Sequence, residues 1–228
     1  MREGPNDETA TFGLTGVNES LGLLETFGLT PTLAAIDAME KAGDVRLAQC
    51  ELNDLGGVAT KILGETAAVQ TALARGRAAA EQMGGRPVAT VLHRPDDRAW
   101  QAIDSPRQYN PLIEQDVVFF PDYKPVATAA AEDSPMTNET SLALGFIETQ
   151  GFTAVFEAID TACKAGNVRV LGKEKLGGGY VAVIIQGDLA AVTAAIEAGK
   201  EKVEGLGKLI AAHVLARPSP SVLALLPK

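Results

Sequence analysis

The side chains able to do chemistry in this 228-residue chain are few, and most recur in pairs. Two histidines, His93 and His213, and two cysteines, Cys50 and Cys163, are the candidates for metal ligation or nucleophilic attack. None has a partner at the short spacing that a zinc site uses. The histidines therefore read as structural or solvated, and the thiols as reduced and partly buried. Carboxylates recur as Glu25 with Glu148 and Asp37 with Asp160. Acid–base catalysis needs two such groups converging in a cleft. Recurrence in a repeated fold supplies none, so these read as hydrogen-bond acceptors or ion-pair partners. No nucleophile elbow or phosphate loop occurs. Cations recur too, as Lys41 with Lys164 and Arg94 with Arg217. A lysine near a helix C-terminus is favoured by the helix dipole, and each arginine precedes a proline, as in a solvated turn. Two glycine-containing loops, Asn53-Asp54-Leu55-Gly56-Gly57 and Leu176-Gly177-Gly178-Gly179, fit hairpin turns. The expectation is a protein with no catalytic residues, no metal and no cofactor.

The elements that hold these residues form two copies of one pattern. Leu21 matches Leu144, Gly64 matches Gly187 and Arg94 matches Arg217, at a constant offset of 123 residues. About thirty of roughly seventy-five aligned positions are identical without a gap. A period this long indicates two domains, not a solenoid of short units. The division expected is an N-terminal extension (1–20), a first domain (21–95), a connecting segment (96–140) and a second domain (141–228).

Within a copy the order reads β-α-β-β-α-β. Leu21–Thr26 is a weakly alternating strand. Thr30 is a candidate N-cap, with Pro31 at the first helical position. Leu33, Ile36 and Met39 keep helical spacing. Gly43 and Gly166 stop the first helix of each copy. Val45–Leu52 and Val58–Leu63 form a hairpin, a helix runs over about 66–83, and Pro87–Leu92 is the last strand. Asp188 is a candidate N-cap for the matching helix of the second copy. The plan is an α+β, ferredoxin-like split βαβ fold, with helices on one face of an antiparallel sheet.

Composition narrows the function. Apolar residues make up 46%, enough for a core in each copy, while aromatics are only 5%. That balance favours close-packed helices over a large aromatic pocket. The net charge of −9 argues against nucleic acid and anionic membranes as partners. The polar, acidic N-terminus has no signal-peptide core, and no apolar run is long enough to span a membrane. The first residues are expected to be disordered, with a docked strand following. In the connecting segment, Trp100 and the run Val117-Val118-Phe119-Phe120 point to an ordered part packed on the domain surface, with Val126–Asn138 as linker.

Leu144-Gly145-Phe146-Ile147-Glu148-Thr149-Gln150-Gly151, Lys164-Ala165-Gly166-Asn167-Val168, Gly177-Gly178-Gly179-Tyr180-Val181, Gly187-Asp188 and Ala212-His213-Val214-Leu215-Ala216-Arg217-Pro218 resemble a bacterial microcompartment shell domain. The resemblance runs through the whole second copy and, more loosely, through the first. Two unpermuted copies in one chain are similar to the tandem-domain shell proteins.

That resemblance implies homotrimers imitating a hexamer, tiled with hexameric and pentameric shell partners in the cytoplasm around enzymes. It implies a central pore for small metabolites. The lining would be Asp54, Leu55 and Gly56 from the first copy and Gly177, Gly178 and Gly179 from the second. Three Leu55 side chains would narrow the opening, and three Asp54 carboxylates would favour cations. The resemblance places Lys41, Lys164, Arg94 and Arg217 at the tile edge. Some tandem shell proteins hold an iron–sulfur cluster at the pore through a loop cysteine; neither loop has one here. The rival reading is a soluble ferredoxin-like repeat protein that binds a small metabolite as a sensor or weak enzyme.

Overall fold

The computed structural model describes residues 19–95, 99–112, 114–121 and 142–226. In the first domain, β1 (Ser20–Phe27), β2 (Val45–Leu52), β3 (Gly57–Gly64) and β4 (Val88–Leu92) form a sheet in the order β4-β1-β3-β2, antiparallel throughout. The helices α1 (Leu29–Ala42) and α2 (Thr66–Gln82) cover one face. Alternation along β1 sets the faces. Gly22 lies against Ile62 and Val69 under α2, and Leu24 joins the same core. Leu21 and Leu23 point to the opposite face. This is the ferredoxin-like plan read from the sequence.

Small residues let the two helices approach closely. A Cβ added at Gly76 of α2 would lie 2.5 Å from Cγ of Met39 on α1. The start of α1 corrects the sequence reading. Gly28, with φ 99°, occupies the N-cap, and Thr30 is already inside the helix. Thr30 is freed from capping because its amide, like that of Leu29, has a partner from outside the domain. Gly43 does end α1, donating its amide to the carbonyl of Met39.

The connecting segment folds onto the first domain. A short helix α3 (Trp100–Ile103) brings Trp100 and Ile103 against Leu21, Leu23 and Leu92, on the sheet face away from α1 and α2. Beneath α3, the buried Lys61 ammonium donates to Gln49 Oε1 (2.6 Å), to Glu51 Oε1 (2.9 Å) and to the carbonyl of Ile103. The chain then makes a small hairpin, β5 (Tyr109–Asn110) with β6 (Gln115–Asp116). It ends in β7 (Val118–Phe119), which pairs with the outer edge of β2 through Cys50 and Glu51. Part of the apolar run thus becomes a fifth strand and covers a sheet edge. The expected linker, 126–138, and the start of the extension, 1–18, lie outside the described residues.

The second domain repeats the plan. Its strands are β8 (Ala143–Gln150), β9 (Arg169–Lys175), β10 (Tyr180–Gly187) and β11 (Lys208–Leu215), in the order β11-β8-β10-β9. Its helices are α4 (Phe152–Ala165) and α5 (Leu189–Glu201). Asp188 caps α5, accepting the amide of Ala191 at 2.9 Å, as its position predicts. A short helix α6 (Pro220–Ala224) follows β11 and packs on α1.

The two domains share one core. Leu29, Leu33, Ile36 and Met39 of α1 cluster with Leu144, Phe146, Ile184 and Leu215 of the second sheet. Helix α1 is therefore covered on both sides: by its own sheet and by the helix-free face of the second.

Candidate pore loops and interdomain seam

At the centre of the seam lies Glu148, fully buried on β8. Its Oε1 accepts the amide of Leu29 at 3.0 Å, and its Oε2 accepts that of Thr30 at 2.7 Å. These are two of the donors that the first turn of a helix leaves without a partner. Burial pushes the Glu148 carboxyl above its ordinary pKa, although the amides of Thr30 and Leu29 favour its charged form. The sequence reading of Glu148 as a structural acceptor is met. That it caps a helix 119 residues away could not be read from the chain.

The other end of α1 is held as well. Asp37 accepts the amide of Ser219 at 2.9 Å, and Glu40 accepts the amide of Ser221 at 3.2 Å and its hydroxyl. Lys41 bridges Asp37 (2.6 Å) and the carbonyl of Arg217 (2.6 Å). Of the four basic residues, the structure thus brings Lys41 and Arg217 together, within one chain. Lys164 pairs with Asp160 on the exposed side of α4, which raises its pKa through the hydrogen bond and the charge. Arg94 follows β4 with φ 54°.

The glycine loops stand side by side at one end of the seam. Asp54–Gly56 forms a 3₁₀ turn in which Leu55 takes φ 61° and ψ 33°, with its side chain 65% exposed. In the other loop, Gly177, Gly178 and Gly179 all have positive φ, between 59° and 82°. A Cβ at Gly178 would lie 2.8 Å from Cδ2 of Leu55, so the leucine rests where only glycine leaves room. Both loops use the same backbone bonds: Gly28 donates to Gly56 O (2.7 Å) and Gly151 to Gly179 O (2.9 Å). Behind them Phe27 meets Tyr180 edge to face at 5.2 Å, and the Arg86 guanidinium lies 4.1 Å from the Phe27 ring centroid. A cavity of about 480 Å³ opens beside the loops, lined by Asn53, Gln108, Tyr109, Asn110 and Gly177. Leu52, Pro111, Val117 and Leu176 complete its lining, which is mixed polar and apolar and carries no charged side chain. The Asp54 side chain lies outside what is described.

The remaining candidates sit apart from the loops. Cys50 is buried on β2, and burial pushes its thiol up to about 12, so it is an inert thiol at neutral pH. Cys163 is exposed on α4, not partly buried as expected, because no described residue covers that side of the helix. His213 is half-buried on β11, and its loss of solvent lowers its pKa, although Asp37 acts the other way. Among the described residues no cluster of His, Cys, Asp and Glu could hold a metal ion, and no helix is long and apolar enough to cross a membrane.

Sequence reasoning missed one group. Glu174 lines an apolar pocket at the seam beside Leu29, Leu33, Phe119 and Leu225, and burial raises its carboxyl to about 7. The signal was in the repeat: Glu51 at the equivalent position pairs with Lys61, whereas Ile184 replaces that lysine in the second copy.

The BMC domain family model matches residues 20–95 and 143–218. A carboxysome shell protein, CsoS1 of Prochlorococcus marinus, is 48% identical over 89 residues, 38% of this chain and 86% of the relative. The bacterial microcompartment shell protein PduA of Citrobacter freundii is 46% identical over 86 residues, 38% of this chain and 92% of the relative. A solved microcompartment protein of Desulfitobacterium hafniense DCB is 26% identical and covers 89% of this chain and 96% of its own, at a TM-score of 0.34. That score is too low to carry a structural argument. The two curated relatives each correspond to less than half of this chain.

Proposed function

Since the chain belongs to the BMC domain family and carries that domain twice, we propose that it is a structural shell protein of a bacterial microcompartment. Its relatives named above are shell proteins of carboxysomes and of a Pdu microcompartment. Three chains close a ring of six domains that imitates a hexamer, and such tiles pack with other shell proteins into facets in the cytoplasm. Small metabolites cross at the ring axis.

The observation that carries this reading is the contact of Leu55 with the Gly178 loop. A pore lined by alternating domains needs the two loops to be neighbours at one end of the seam, and they are. Repeated around a three-fold axis, Leu55 supplies an apolar constriction, and Gly177–Gly179 supply exposed backbone amides that suit polar solutes. Asp54 completes the lining; Gly56, expected there from the sequence, is buried instead against Phe27 and Tyr180 and shapes the turn from behind. Lys41, Lys164, Arg94 and Arg217 then serve tile edges and seams.

Electron microscopy of the purified chain, alone and with single-domain shell proteins, tests this. Three-fold, hexagon-shaped particles that join into sheets are expected. Monomers or dimers that never enter a hexagonal layer would sink the tile and favour the metabolite-binding reading. In a reconstituted layer, Asp54→Asn should weaken cation preference; unchanged selectivity removes Asp54 from the lining.

A further inference from the structure

The two copies differ at one sheet edge. In the first, β7 covers β2 by pairing with Cys50 and Glu51. Their counterparts on β9, Lys173 and Glu174, lie on an edge that no described strand pairs. A cavity of about 400 Å³ stands there instead, walled by β6, β7, β9 and the end of α6. None of the loop residues 54–56 or 177–179 lines it, so it is separate from the proposed metabolite passage. Its volume suits a small organic molecule.

The wall holds polar groups that the described chain leaves without partners. The Glu174 carboxyl makes no hydrogen bond or ion pair with a described residue, and burial alone perturbs it. Arg107 lies over the Phe120 ring, 5.1 Å from its centroid, and pairs with no described carboxylate. Gln115 accepts the Lys175 amide through Oε1 at 3.2 Å, which leaves its buried Nε2 without an acceptor. Between these groups the surface is apolar, from Phe119 and Leu225. An unpaired guanidinium beside apolar walls suits an anion with an aliphatic body. Of the other charged groups at the wall, Lys173 is turned to the Phe156 ring (5.3 Å), Lys175 lies 4.0 Å from Glu114, and Asp116 is exposed. Three cations, Arg107, Lys173 and Lys175, therefore meet two carboxylates besides Glu174.

We propose that this cavity binds a small aliphatic carboxylate, its charged end on Arg107 and Glu174 and its hydrocarbon against Phe119 and Leu225. Glu174 acts in its protonated form, donating its proton to a ligand oxygen as two neighbouring carboxyl groups share one proton. Burial, which raises its carboxyl to about 7, keeps that proton available near neutrality. Above that value Glu174 and the ligand repel each other. The bound molecule joins the connecting segment to β9, and it does so within one chain, whether or not three chains close a ring.

Isothermal titration calorimetry of the full chain with pentanoate, pentanol and pentylamine tests this. Pentanoate should bind saturably; the alcohol and the amine should not. Its affinity should fall about tenfold between about pH 6 and about pH 8, because the protonated fraction of Glu174 falls by that factor around a pKa of about 7. Glu174→Gln, which keeps a donor and cannot ionise, should still bind pentanoate but lose this pH dependence. Arg107→Ala, at an exposed position, should weaken binding about tenfold while the circular dichroism spectrum stays wild-type. A wild-type chain that pentanoate does not saturate at about pH 6 overturns the site, and so does pentylamine binding as tightly as pentanoate. Wild-type affinity in Arg107→Ala, or a pH dependence that survives in Glu174→Gln, overturns the placement of the carboxylate on these two groups. Electron microscopy decides the ring separately, so a chain that forms rings yet ignores pentanoate fails this proposal alone.

Discussion

Glu51 on β2 and Glu174 on β9 occupy one position in two copies of the same strand, but they live differently. Glu51 pairs with the buried Lys61, which also satisfies Gln49 and the carbonyl of Ile103. Glu174 faces Leu29, Leu33 and Leu225 and holds its proton to about 7. The backbones match because antiparallel pairing and the helix-facing residues are shared. The side chains differ because each copy meets another neighbour on its helix-free face. In the first domain that neighbour is α3; in the second it is α1 with α6. Joining two copies in one chain lets each face specialise, which identical subunits cannot do.

The comparison breaks most visibly at Lys61. Lys61→Met leaves the half-buried Glu51 without its cation and strips a donor from the Ile103 carbonyl. The expected loss is about 3 kcal/mol, read as a lower urea midpoint for the first domain, together with release of α3 and a more exposed Trp100 fluorescence. An unchanged midpoint would show that the connecting segment, not the ion pair, secures that face.

Next come the equivalent helix glycines, Gly76 and Gly199. At Gly199 a Cβ would meet the carbonyl of Ala158 at 2.8 Å and Cδ1 of Ile147 at 2.6 Å. At Gly76 the closest obstacles are Cγ and Sδ of Met39, a side chain that can turn aside. Gly199→Ala should cost about 2 kcal/mol. Gly76→Ala should fall near zero, its clash offset by about 1 kcal/mol of helix propensity. Equal losses in paired unfolding curves would mean that α1 and α2 have no more slack than α4 and α5.

Glu174 gives a pH signature of similar size. Its pKa rises from 4.5 to about 7 through burial. The folded chain therefore holds a proton that the unfolded chain has released between these values. Stability from this group is fully present below pH 4.5 and is lost as pH rises through about 7. Glu174→Gln should raise stability by about 2 kcal/mol at about pH 8, after discounting for partial exposure, and change little near about pH 4. A gain that does not vary with pH would assign the effect to packing.

The smallest expected effect is at the loops. Leu55→Gly removes an exposed side chain and relieves a positive φ, so stability should move by less than about 1 kcal/mol in urea unfolding. Solute flux through a reconstituted layer should nevertheless rise. Unaltered flux would take Leu55 out of the constriction.

Much of the fold was legible because its causes are local. The repeat at 123 residues, the β-α-β-β-α-β order, the stops at Gly43 and Gly166 and the Asp188 cap all depend on local spacing or on simple recurrence. The family followed from motifs spread along the second copy. The loops were legible as a pair of glycine-containing turns, but not their contact. That Leu55 rests on Gly178 depends on a docking of domains that no short window of sequence encodes.

The start of α1 marks the division most clearly. By itself the sequence offered Thr30 and Pro31, a sound local choice. Tertiary structure put Gly28 at the cap instead, because Glu148, distant in sequence and buried at the seam, supplies the acceptor. The sequence alone likewise made α1 and α4 equivalent; which of them is buried was decided only when the second sheet closed over α1. Hydrogen-bond chemistry and apolar spacing are written in neighbouring residues. Burial depends on which surfaces finally meet.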